Sequence, residues 1–104
     1  MNVIRYDKLV RDNIPAMIEN NGERAVTRIL GDAEYRACLE RKLDEEVAEF
    51  HQSGAIEELA DILEVVSALC AARGHSMDEL LKIQQKKRDE RGGFERRIFL
   101  IGKE

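Results

Sequence analysis

The chain has 104 residues, 43% apolar and 37% charged, with one proline and no tryptophan, a balance that fits one helical domain spanning 1–104 and excludes disordered and fibrous chains. A net charge of −4 gives no electrostatic reason to bind a nucleic acid polymer, and no segment approaches the 18 or so consecutive apolar residues of a membrane span. So small a domain buries limited apolar surface, so a homodimer is expected, with pairing of dimers into tetramers left open.

The residues from Met1 to Asp7 lack the apolar core of a secretory signal, so a cytoplasmic protein is expected. Cys38 and Cys70 each sit in an apolar helical pattern without metal-type spacing, which predicts reduced, buried thiols and no disulfide. Charge is segregated along the chain. Acids crowd residues 44–61, whereas Lys86, Lys87, Arg88, Arg91, Arg96 and Arg97 make the C-terminal part basic and Lys8 and Arg11 do the same near the start.

In chain order, Leu9, Val10, Ile14, Met17 and Ile18 recur at helical spacing and predict a helix over residues 7–20, closed by Asn20-Asn21-Gly22. Pro15 lacks a donor and clashes with the preceding turn, so the alternative is a start near Asn13 with Pro15 in the first turn. Residues 24–30, with Val26, Thr27 and Ile29, read as a short strand. Asp32 is expected to cap a second helix to about His51, with the apolar stripe Tyr35, Leu39, Leu43, Val47 and Phe50. After the break at Gln52-Ser53-Gly54, a third helix over 55–73 carries Ile56, Leu59, Ile62, Leu63, Val66, Leu69 and Cys70, and so short a break implies an antiparallel hairpin. Ser76-Met77-Asp78-Glu79 fits a capping box for a fourth helix to about Glu90, followed by a Gly92-Gly93 loop. Residues 98–101 look like a strand that pairs with 24–30, since an isolated strand leaves its backbone groups unsatisfied. The expected fold class is therefore mainly α, a four-helix domain built on a helix hairpin with a small two-stranded β element.

The chemistry resides in Glu46-Val-Ala-Glu49 and Glu58-Leu-Ala-Asp61, two i,i+3 acidic pairs on consecutive helices. At about 100° per residue, and with each apolar stripe set to zero, Glu46 and Glu49 fall at roughly −60° and −120° and Glu58 and Asp61 at roughly −100° and −160°. If the two stripes face one another, both pairs come to one edge of the hairpin. Glu49 and Glu58 are then equidistant from the turn, as are Glu46 and Asp61, giving two rungs of facing carboxylates. Four such groups repel unless a cation balances them, and hard oxygen ligands suit Mg²⁺, or Mn²⁺. Acidic pairs arising by chance on solvated helix faces are the competing account. Glu45 and Glu64 extend the acidic arc as accessory groups, while Glu57 reads as plain surface charge.

The segments Tyr6 through Pro15, Lys42 through Phe50, Glu57 through Val65 and Lys87 through Phe94 together resemble the MazG-like all-α NTP pyrophosphatases, and more narrowly their short house-cleaning or phosphoribosyl-ATP pyrophosphohydrolase-like branch. The resemblance runs over nearly the whole chain. It implies Mg²⁺ at Glu46, Glu49, Glu58 and Asp61 and hydrolysis of a nucleoside triphosphate to a monophosphate and pyrophosphate, with Glu46 or Glu49 accepting a proton from water. Only eight residues separate Glu49 from Glu58, fewer than in longer relatives, so base preference does not carry over.

Lys8, Arg11, Lys87 and Arg91 are the candidates for holding phosphate oxygens, and ordinary solvated charge is the plainer account of each. Gly92 and Gly93 would admit backbone amides to phosphate, or merely make a turn. Phe94 could stack on a base but is expected to anchor the tail in the core, and His51 and His75 have no catalytic partner. Two other readings remain: phosphoribosyl-ATP pyrophosphohydrolase itself, against which the opening Lys8-Leu9-Val10-Arg11-Asp12 and the Gly92-Gly93-Phe94 tail argue, and a non-catalytic dimeric module that binds a partner protein.

Overall fold

A computed structural model describes residues 3–104. Four helices run in order: α1 (Ile14–Asn20), α2 (Asp32–Ser53), α3 (Ile56–Ala72) and α4 (Met77–Arg91). Helix α1 starts at Ile14 with Pro15 in its first turn, where a missing N–H costs nothing, so residues 7–13 are not helical. Asp32 is the first helical residue of α2 rather than its cap, a place held by Gly31; its carboxylate sits with Glu34 in the first turn, where the helix dipole favours negative charge. Ser76 does cap α4: its hydroxyl accepts from the Glu79 backbone N–H at 3.1 Å.

The turn between α2 and α3 is as tight as its sequence predicts. Gly54 closes α2 with φ +66°, a left-handed conformation that a side chain would strain, and the Ala55 backbone N–H donates to Ser53 Oγ at 3.2 Å. Two residues of connection force α3 back along α2, and this antiparallel hairpin is the body of the molecule. Helix α4 meets α3 only briefly and does not touch α2, and α1 packs against no other helix. The 22-residue α2 is about 33 Å long, so the 65 Å long dimension of the chain requires other segments to project beyond the hairpin.

The described residues contain no strand, which corrects the expected β element. Residues 24–30 and 98–101 have no regular secondary structure and carry no ladder hydrogen bonds, and Val26, Ile29, Ile98 and Ile101 stand exposed. β-branched residues bias a backbone towards extension but do not supply a partner. Phe94 is likewise outside the core, 97% exposed. Cys38 and Cys70 are free thiols, half-buried rather than buried. No described helix is long and apolar enough to cross a membrane.

Candidate metal centre

The hairpin contact changes character along its length. Away from the turn it is apolar: Leu39 and Val65 are the buried hydrophobic residues of the described chain, and Leu69 with Ala37 lines an open groove at that end. Towards the turn the inward positions of α2 become Lys42 and Glu46, whose side chains are 16% and 8% exposed. The matching inward positions of α3 are Glu58 and Asp61, two turns and one turn before Val65. Ligand oxygens of Glu46, Glu58 and Asp61 lie within 4.8 Å of one another.

The carboxylates therefore converge, but not along the edge that facing apolar stripes would produce. Glu46 is inside the α2–α3 contact, with Glu58 and Asp61 only half-buried, and Ile56, Leu59 and Leu63 of the α3 stripe point away, 71%, 43% and 58% exposed. The hairpin has packed the acidic face of α3 inward and left much of its apolar face outside.

Each of the three carboxylates has one oxygen engaged by the protein. Lys42 Nζ is 3.2 Å from Glu46 Oε1. Ser53 Oγ donates to Glu58 Oε1 at 3.4 Å, and Arg11 Nη2 donates to Asp61 Oδ1 at 2.7 Å. The second Glu46 oxygen, Oε2, is buried with no hydrogen-bond partner. A buried charged oxygen left unpaired is costly and rare in native proteins. Burial accordingly pushes the Glu46 carboxyl above its ordinary value of 4.5; Lys42 pulls it partly back, and the neighbouring Glu49 carboxylate raises it further.

These three residues fit a small divalent cation. Two oxygens on one Mg²⁺, each bonded at about 2.0–2.1 Å, are at most about 4.2 Å apart, so a cluster within 4.8 Å needs only a small inward movement. A cation held there would give Glu46 Oε2 the partner it lacks. Glu49, expected to share the site, stands beside Glu46 but outside the three-carboxylate group.

The N-terminal arm supplies two cations here. Arg11 reaches Asp61, and Lys8 Nζ lies 3.3 Å from Glu45 Oε1, which Lys42 Nζ approaches to 3.5 Å from the other side. Glu45 thus holds the arm and lies outside the three-carboxylate group. Glu64 is exposed and outside the group. Lys42 was absent from the sequence-derived candidates, although the i,i+4 spacing of Lys42 and Glu46 is a local signal for an ion pair.

The C-terminal candidates are not brought to the cluster. Lys87 and Arg91 are exposed on α4, which does not touch α2. Gly92 and Gly93 serve a turn: Gly92 has φ +85°, and the Arg88–Glu95 ion pair, 2.6 Å long, passes over Gly93 where a Cβ would stand. That guanidinium holds the Glu95 carboxyl below its usual range.

Comparison with known proteins adds one partial likeness. An uncharacterized protein of Mycolicibacterium smegmatis (strain ATCC 700084 / mc(2)155) is 57% identical over 42 residues, which are 40% of this chain and 43% of that protein. No protein-family model and no solved structure matches the chain.

Proposed function

We propose that the chain is a Mg²⁺-dependent, MazG-like nucleotide pyrophosphohydrolase that converts a nucleoside triphosphate to a monophosphate and pyrophosphate, with non-canonical house-cleaning nucleotides as its substrates. The observation that carries this reading is the unpartnered, buried Glu46 Oε2 beside Glu58 and Asp61, an arrangement that is unfavourable while the carboxylate is ionised and that a bound cation would relieve. Support also comes from the two basic residues of the arm, placed where an anion carried by that cation would arrive.

Glu46, Glu58 and Asp61 would hold the metal in this mechanism. When bound, a divalent cation neutralises polyphosphate oxygens and lowers the pKa of a coordinated water. Glu49, next to Glu46, accepts the proton that the attacking water loses as the α–β phosphoanhydride bond breaks. Arg11 leaves Asp61 and, with Lys8, takes up phosphate oxygens, for which a planar guanidinium is the better-shaped partner. The hydroxyl of Ser53 keeps Glu58 oriented from the turn.

The test is pyrophosphate release from a panel of ribo- and deoxynucleoside triphosphates, including oxidised and deaminated bases and phosphoribosyl-ATP, with and without Mg²⁺. Release that needs Mg²⁺ and is lost in Glu49→Gln is the expected result. Turnover of phosphoribosyl-ATP alone transfers the assignment to that hydrolase. No release from any nucleotide, with melting unchanged by Mg²⁺, removes the enzyme reading and leaves a partner-binding module.

A further inference from the structure

The N-terminal arm hangs from the hairpin by side chains. Residues 3–13 form no helix or strand, and α1, which follows them, packs against no other helix. The backbone hydrogen bonds of this stretch are the ones that start α1, from the Ile14 N–H to the Arg11 carbonyl and from the Met17 N–H to the Asn13 carbonyl; among the described residues none ties the arm to α2 or α3. Leu9 is half-buried and the other residues from 3 to 13 are exposed. What fixes the arm in place is Arg11 on Asp61 at 2.7 Å and Lys8 on Glu45 at 3.3 Å, pairs that span fifty and thirty-seven positions of sequence.

Both pairs lead back to the carboxylate cluster. Asp61 belongs to it outright. Glu45 is joined to it through Lys42, whose Nζ lies 3.5 Å from Glu45 Oε1 and 3.2 Å from Glu46 Oε1. Arg11 and Lys42 thus act as the cluster's own counter-charges. They differ in freedom: the Lys42 side chain is 16% exposed, whereas that of Arg11 is 55% exposed and borne on the arm. Of the two, Arg11 is the one that can leave.

Magnitudes decide whether it does. A divalent ion bonded to Asp61 at about 2.1 Å would stand about 5 Å from the guanidinium on a shared oxygen and about 7 Å from it on the opposite one. A double and a single positive charge at that separation weaken each other's binding about tenfold with the dielectric constant of water, and more at the lower effective value of a protein surface. An exposed ion pair such as Arg11–Asp61 is worth about fivefold at most. The repulsion exceeds the hold, so Arg11 and a divalent ion do not share Asp61.

We infer that the N-terminal arm is a cation-operated strap, closed onto the hairpin by Arg11 while Asp61 holds no divalent ion and released when it does. The inference rests on the reading of Glu46, Glu58 and Asp61 as a divalent metal centre. The second hold loosens with the first: Lys42, displaced from Glu46, turns to Glu45 and competes there with Lys8. An order of events follows, because Arg11 is free to take an anion only after a cation has taken Asp61.

Limited trypsin digestion of the full chain tests the strap, with the cuts after Lys8 and Arg11 timed by mass spectrometry in EDTA and in saturating Mg²⁺. Cuts after Arg96 and Arg97, exposed at the other end of the chain, serve as the internal control. Mg²⁺ is expected to speed cleavage of the arm several-fold and to leave the control unchanged. In Glu46→Gln the acceleration should vanish, and in Arg11→Ala the cut after Lys8 should be fast with or without Mg²⁺. Calorimetry with MgCl₂ alone is run beside the digestion, and Arg11→Lys, which keeps the charge, should bind Mg²⁺ as wild type does. Mg²⁺ that binds by calorimetry yet leaves arm cleavage unchanged or slower overturns the strap while the metal centre stands. An acceleration that persists in Glu46→Gln also overturns it, and no Mg²⁺ binding at all overturns the strap and the metal centre together.

Discussion

Replacing Glu46 with glutamine should alter thermal stability in opposite directions with and without metal. In the metal-free protein, Glu46 holds a buried, unpartnered oxygen, and an unsatisfied buried polar atom costs about 1–3 kcal/mol, more when charged. Glutamine removes the charge and can still accept from Lys42, which keeps Glu45 at 3.5 Å. Offsetting the weakened Lys42 contact against the removed charge leaves a net gain of about 1 kcal/mol, or roughly 4–8 °C in midpoint for a domain of this size.

Mg²⁺ reverses the order. At 100 times its dissociation constant, a ligand that binds only the folded state adds about 2.7 kcal/mol, on the order of 10–20 °C. Wild type should receive that shift and Glu46→Gln almost none. Scanning fluorimetry at one fixed protein concentration, with EDTA and then with a Mg²⁺ series, measures both arms. A variant that melts below wild type in EDTA would show that Glu46 is not a strained, waiting ligand. An undiminished Mg²⁺ shift would show that the ion binds elsewhere.

The same residue fixes a pH dependence. Its folded-state pKa is raised above 4.5, so its favourable contribution is complete below the unfolded value and lost as pH rises through the folded one. In EDTA the midpoint of Glu46→Gln minus that of wild type should therefore grow as pH rises from about 4 through the raised folded-state pKa; a constant difference would refute it. Arg11→Ala removes a cation that occupies Asp61, so Mg²⁺ should bind several-fold tighter by calorimetry while any nucleotide substrate shows a higher KM; unchanged or weaker Mg²⁺ binding would remove Arg11 from the site. Ser76→Ala deletes the α4 cap and should cost about 1 kcal/mol by urea denaturation, with Mg²⁺ affinity unchanged because α4 does not touch α2.

The sequence by itself determined what depends on residues three or four apart. It placed the Ser53-Gly54 turn, the end of α1 at Asn20, the Ser76 cap and the two acidic pairs on facing helices within a residue or two of their observed positions. These are local features, set by backbone freedom at glycine, by a side chain reaching its own helix terminus and by the pitch of the helix. The pairing of Lys42 with Glu46 was legible in the same way.

Only the tertiary structure decided which face of each helix is inside. A period of 3.6 residues marks an apolar stripe but carries no information on whether that stripe is covered within the chain or outside it. On α3 the stripe of Leu59 and Leu63 lies outside, and the face of Glu58, Asp61 and Val65 lies against α2. That choice buries Glu46, leaves its Oε2 without a partner and brings Arg11 to Asp61 across fifty positions of sequence. The expected strands failed for the same reason: extension is a local preference, whereas a ladder needs a second backbone alongside it, and among the described residues no ladder hydrogen bond joins residues 98–101 to residues 24–30.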